Sequence, residues 1–283
     1  MTNRYQSVGF AVESAAAVDE LLRRAMAEGV VEALLDGGRL VRWHDAPSGA
    51  RLAVLVRPDG AVRSATPSFR PDTPQVLSAR LTGLLPDGAD ADADAVQLAP
   101  RHASYPLAVQ FETGGLAIND LPFGDEVDLE LVGFAHAMEC YPHEDAYRSS
   151  GIPLRIREVL PAGLVPLAGA EGPCRSRATA LVSGVVLACT PHRNVCGGGE
   201  FLHVVIDTEA MVLDAVVCPQ SVEGPPVQPG RIVTASMWFV ARRSCAVLDP
   251  SRPDGANHPP AAPQSVRSAV RRALRSRRSG RPG

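Results

Sequence analysis

The chain has 283 residues, 45% of them apolar and 21% charged, with a formal net charge of −3. That length can bury a sizeable core and divides most readily into two domains. The composition is that of a soluble globular protein, and no apolar run approaches the ~20 residues a membrane-spanning helix needs.

All 28 basic residues are arginine, the codon bias of a high-GC bacterial genome rather than a chemical signal. Charge is unevenly placed. Residues 264–283 carry seven arginines and no acid, which leaves 21 arginines against 31 acids elsewhere, so a basic tail follows an acidic body. The opening Met-Thr-Asn-Arg-Tyr-Gln has no apolar signal segment, so the expected compartment is the cytoplasm. The six cysteines (140, 174, 189, 196, 218, 245) are therefore expected as reduced thiols.

In chain order, residues 1–165 read as one α+β region. Ser7–Val12 is a short apolar strand. Ser14 caps a helix whose apolar stripe is Val18, Leu21, Leu22 and Ala25, with Gly29 as its stop. Val31–Leu35, Leu40–His44 and Arg51–Val56 are strands joined by Asp-Gly and Pro-Ser-Gly turns, and a further strand is expected at Ala61–Thr66. The predicted order over residues 6–66 is β-α-β-β-β. With its late hairpin Trp43-His-Asp-Ala-Pro-Ser-Gly-Ala-Arg-Leu52, this module resembles the vicinal oxygen chelate superfamily of glyoxalases and bleomycin-resistance proteins. That resemblance implies a histidine in the first strand and a glutamate after the hairpin glycine. Ser7 and Ala53 stand near those positions, so a retained scaffold without its metal is expected.

Residues 67–104 loosen into a linker region. It contains a strand or short helix at Gln75–Leu85 and an acidic run, Pro86 to Ala95, that lacks the glycine and terminal glutamate of a calcium loop. Residues 105–165 are β-rich, with strands at Leu107–Glu112 and Val127–Ala137, a turn or edge strand at Leu116–Phe123, and an extended stretch at Ile152–Leu160. Pro161–Pro173 is a connector. Residues 175–245 read as four or five strands of a small β-barrel: Thr179–Ala188, Phe201–Thr208, Met211–Cys218 and Arg231–Arg243. In the last of these, Val233, Ala235, Met237, Phe239 and Ala241 share one face, with Thr234 and Ser236 on the other, nearer water. Residues 249–283 are expected to be a disordered, arginine-rich tail.

Two clusters have metal-like spacing, His136/Cys140/His143 and Cys189/His192/Cys196. The second is expected in a loop before Gly197-Gly-Gly199. Burial of the thiols outweighs zinc in both. A nucleophilic site built from Cys140, His143 and Asp145, or from Cys189 and His192, has members too close in sequence to converge. The triple glycine precedes a strand, which makes it a hairpin loop rather than a phosphate cradle. Residues 177–243 balance five arginines against five acids, so nucleic acid is expected only through residues 264–283. The overall expectation is a non-catalytic binding or interaction module without a cofactor, taking a protein partner or a second copy of itself. A vicinal-oxygen-chelate-type ligand-binding protein or enzyme is the second reading, and a nucleic-acid-associated protein the third.

Overall fold

A computed structural model describes residues 3–35, 38–84, 95–101, 103, 105–112, 123–161 and 178–244. The acidic run up to Asp94, the stretch 116–122, most of the connector after Pro161, and the arginine-rich tail lie outside the described residues. Residues 1–244 cluster as one compact unit. Among the described residues no helix is long and apolar enough to cross a membrane.

The chain opens differently from the β-α-β-β-β expectation. Gln6–Val8 is a turn of 3-10 helix, and Phe10 makes one isolated bridge to Gly198 instead of joining a sheet with its neighbours. The helix α1 (Ala15–Glu28) follows. The Ser14 hydroxyl accepts the Ala17 N–H at 3.2 Å, and Leu21 and Ala25 are buried on the inner stripe. A Cβ on Gly29 would stand 2.4 Å from the Ala25 carbonyl, so glycine is required where the helix turns into the sheet. Then comes an antiparallel meander, β1 (Val30–Leu35), β2 (Gly38–His44), β3 (Ala50–Val56) and β4 (Val62–Phe69), which forms a four-stranded sheet. The expected fourth strand at Ala61–Thr66 is present as β4.

The second sheet holds ten strands. They are β5 (Val76–Leu84), β6 (Ala95–Pro100), β7 (Leu107–Phe111), β8 (Glu126–Tyr141), β9 (Val159–Leu160), β10 (Thr179–Arg193), β11 (Glu200–Asp207), β12 (Val212–Val217), β13 (Val222–Glu223) and β14 (Ile232–Arg243). The helix α2 (Glu144–Ser149) follows β8. The strands from β5 to β7 form a meander in which β5 lies antiparallel to β8 and β7 parallel to β14. The strands from β10 to β12 repeat that plan with the roles exchanged, β10 antiparallel to β14 and β12 parallel to β8. Between them, β8 and β14 run antiparallel from the Leu129–Arg243 pair to the Tyr141–Ile232 pair. The pairing therefore has a two-fold relation about the β8–β14 ribbon, and each meander closes a circuit through it. Strands from 175–245 complete their circuit only with β8 of the middle segment.

Period-2 alternation accounts for the core. Val233, Ala235, Met237, Phe239 and Ala241 all lie in the main cluster, together with Leu98, Val109, Leu129, Met138 and Ile206. The opposite face of β14 departs from expectation. Thr234 and Ser236 are half-buried, but Trp238 and Val240 lie beneath the small sheet. There they meet Val132, Phe134, Phe201 and Val216 of the large sheet and Leu52, Val54 and Phe69 of the small one. Burying apolar surface at ~25 cal/mol per Å2 is what holds one sheet on the other.

The triple glycine has a packing role. Gly199 N–H donates to the Gly9 carbonyl at 2.9 Å, Ala11 N–H to Gly197 at 3.0 Å, and the buried Asn194 amide to Val8 at 2.9 Å. A Cβ on Gly197 would lie 2.4 Å from the Gly9 oxygen. The hairpin loop between β10 and β11 thus clamps the segment that leads into α1.

Candidate functional site

The cysteine–histidine clusters are not brought together. Cys140 sits in the main core with its thiol 3.8 Å from the Pro226 carbonyl. His143 caps α2, its Nδ1 accepting the Ala146 N–H at 3.3 Å. His136 lies on β8, and Asp145 is an exposed residue of α2. Because β10 runs on to Arg193, Cys189 and His192 belong to a strand, not to the expected loop. Three residues apart on a strand, they face opposite sides about 10 Å from each other. Cys189 packs on the main core and His192 stacks on Phe201. Cys196 reaches the His44 carbonyl and the Asp45 carboxylate, both at 3.9 Å. Burial raises the pKa of all three thiols, which disfavours thiolates. Among the described residues no group of three His, Cys, Asp or Glu side chains is placed to hold a metal. Ser7 donates to the Ala135 carbonyl at 3.1 Å, and Ala53 is buried on β3.

The polar side chains that do converge lie where the end of β4 crosses the outer face of the large sheet. That crevice is lined by Ser68, Glu112, Glu130, Asp214 and Arg242 together with Phe69, Pro71 and Pro74. Its enclosed space is about 10 Å3, enough for one water. Glu112, Glu130 and Asp214 are all nearly inaccessible to solvent, and a carboxylate so placed needs charged or hydrogen-bonding partners. Each has them. Ser68 donates to Glu112, and Arg42 Nη2 lies 3.5 Å from the same carboxylate. Arg242 grips Glu130, with Nε at 2.6 Å, and Arg70 approaches it from the small sheet at 3.6 Å. Asp214 meets His203 Nε2 at 2.8 Å and accepts the Gln75 N–H at 2.8 Å.

Strand register determines why these groups meet. His44, Arg51 and Ser68 are cross-strand neighbours on β2, β3 and β4, so Arg51 stands beside the serine that holds Glu112. Arg51 differs from Arg42, Arg70 and Arg242 beside it: among the described residues no carboxylate lies within ion-pair distance of it. Burial and the guanidinia of Arg242, Arg42 and Arg70 together lower its pKa to about 10, with Glu112 opposing them. Arg42 Nε is likewise buried without a hydrogen-bond partner, although Arg42 Nη2 reaches Glu32 at 2.6 Å. Beside the crevice, then, one buried donor lacks an acceptor and one half-buried guanidinium lacks an ion-pair partner among the described residues.

Next to it is an aromatic patch. Phe69 contacts the rings of His203, Phe201 and His192 at 4.9, 5.6 and 6.0 Å between centroids. Burial lowers the pKa of His192, as does His203, with Asp72 opposing. A second depression of about 260 Å3 is lined by Tyr105, Arg155, Arg157, Glu158, Glu209 and Met211. Its charges serve the loop. Arg157, left-handed at φ 73°, pairs with Asp207 at 3.2 Å while its carbonyl accepts the Glu209 N–H at 2.7 Å.

None of the crevice residues was a sequence-level candidate. The available signal is a charged residue within an apolar strand, as with Arg51 in Ala-Arg-Leu-Ala-Val, Glu130 in Leu-Glu-Leu-Val, or Asp214 in Val-Leu-Asp-Ala-Val-Val. Comparison with protein-family models finds no match, nor does comparison with curated proteins or with solved structures. The chemistry of the crevice is therefore what bears on function.

Proposed function

We propose that the chain is a non-catalytic binding protein whose recognition surface is the arginine-bordered crevice between its two sheets. One contrast carries this reading. The groups able to act as nucleophile, acid or base there are tied to one another, Ser68 to Glu112 and His203 to Asp214, whereas Arg51 feels Glu112 only at a distance and has no carboxylate within ion-pair reach among the described residues. Among the described residues the hydroxyl of Ser68 is held by a buried carboxylate that Arg42 also engages, with no oxyanion donors aimed at a common point, so the arrangement that acyl transfer requires is incomplete. An unpaired, partly desolvated guanidinium beside buried carboxylates is a recognition element for anions.

We read the circuit through β8, β14, β10, β11 and β12 as a small closed barrel. What supports this is that the pairings return to their starting strand and the inward residues are packing side chains. A filled barrel offers no interior site, so recognition falls to its outer face. The test is a thermal-shift panel at low ionic strength with anionic, neutral and cationic small molecules, on the native chain and Arg51→Gln. Stabilisation confined to anions and lost in the variant is expected. Equal shifts from neutral ligands, unchanged in Arg51→Gln, would contradict it.

A further inference from the structure

Arg242 on β14 lines the crevice, and three more guanidinia stand around it: Arg70, just after β4, beside Glu130, Arg42 on β2 beside Glu112, and Arg51 on β3 next to Ser68 across the strand pair. Three carboxylates answer them. Glu130 is shared by Arg242 and Arg70, and Glu112 and Glu32 by Arg42. A fourth carboxylate, Asp214, is taken by His203, so among the described residues Arg51 is the one of the four guanidinia with no carboxylate within ion-pair distance. Its guanidinium is half-buried and open to an incoming anion, and the buried Nε of Arg42 has no acceptor.

The arrangement of these donors selects the ligand. A planar carboxylate offers two oxygens in one plane and suits a single fork. Donors arriving from adjacent strands of the small sheet and from the far side of the crevice suit an anion whose oxygens point in several directions. A phosphate group has that shape and carries up to two charges, and arginine forks match it bidentately. The floor is full, so the group must sit at the rim, where Arg70 is 40% exposed and Arg51 is half-buried. The neighbouring rings of Phe69 and His203 offer an apolar surface to whatever the phosphate is attached to.

Resting on the binding reading above, we propose that the crevice recognises a phosphate group presented by a small organic molecule, with Arg51 as its principal contact and Arg42 and Arg70 beside it. Isothermal titration at low ionic strength with inorganic phosphate, phenyl phosphate and malonate tests this. The proteins are the native chain, Arg51→Gln, Arg70→Gln and Arg57→Gln, the last an exposed arginine paired to Asp59 away from the site.

Phenyl phosphate is expected to bind the native chain and Arg57→Gln alike and at least as tightly as inorganic phosphate. Affinity is expected to fall tenfold or more in Arg51→Gln and several-fold in Arg70→Gln. Circular dichroism establishes that both variants are folded, and the more exposed Arg70 keeps the test valid should Arg51→Gln misfold. Binding of inorganic phosphate with exclusion of phenyl phosphate would overturn the proposal in favour of a free-anion site. Arginine-dependent binding of malonate alone would overturn the phosphate assignment and leave the binding reading standing. Heat from no titrant, or heat that survives both substitutions, would overturn both.

Discussion

Asp214 Oδ2 accepts the backbone N–H of Gln75 at 2.8 Å, so a carboxylate on β12 holds the crossover that leaves the small sheet for the large one. The other oxygen of the same carboxylate meets His203. With so little of Asp214 exposed, the pair acts as a structural tie. Replacing it with alanine leaves a buried imidazole and an amide unpaired, and is expected to cost roughly 3 kcal/mol. Asn retains part of the bonding and should cost about 1 kcal/mol. Urea denaturation of both variants measures this; equal midpoints for Asp214→Ala and the native chain would remove the tie.

The glycine clamp predicts an unequal effect within one tripeptide. Gly197 has no room for a Cβ against the Gly9 oxygen, so Gly197→Ala should lose about 2–3 kcal/mol by overpacking. Gly198 has open space around it but a φ of +80°, so Gly198→Ala should lose only about 1 kcal/mol. Thermal melting that ranks the two in the opposite order would show that the clamp is misassigned.

His192 gives a pH dependence. Its folded pKa lies below the ordinary 6.5 because burial and His203 disfavour the imidazolium. Between the folded value and 6.5 the unfolded chain binds more protons, so stability is full above about pH 6.5 and is lost as pH falls toward the folded pKa. His192→Phe keeps the stacking on Phe201 and removes the titration. The difference in urea midpoint between pH 7 and pH 5 should shrink in the variant. A difference that stays the same would mean the imidazole contributes nothing.

How far the sequence reveals the fold depends on whether a segment's pattern is local. Ser14 and Gly29 bound α1 as expected, and the alternation in β14 places its core residues correctly. Ser7–Val12 fails because an apolar run does not show whether its backbone joins a sheet; the partner of Phe10 lies in a loop far along the chain. Alternation alone leaves the outer face of β14 near water, whereas Trp238 on that face is covered by a sheet distant in sequence. The crevice was invisible for the same reason. Arg51, Glu112 and Arg242 come from three separate segments, and only the closed pairing about β8 and β14 brings them side by side.

The most direct test of an unmet positive charge in the crevice is the stability of Arg51→Gln in buffer free of multivalent anions. Holding that guanidinium half-buried among three others costs stability at neutral pH, so its removal should leave the urea midpoint unchanged or higher. Added phosphate should then stabilise the native chain and not the variant. A variant less stable than the native chain by more than about 1 kcal/mol, the scale of a lost internal hydrogen bond, would show that Arg51 already has its partners and that the crevice is packing alone.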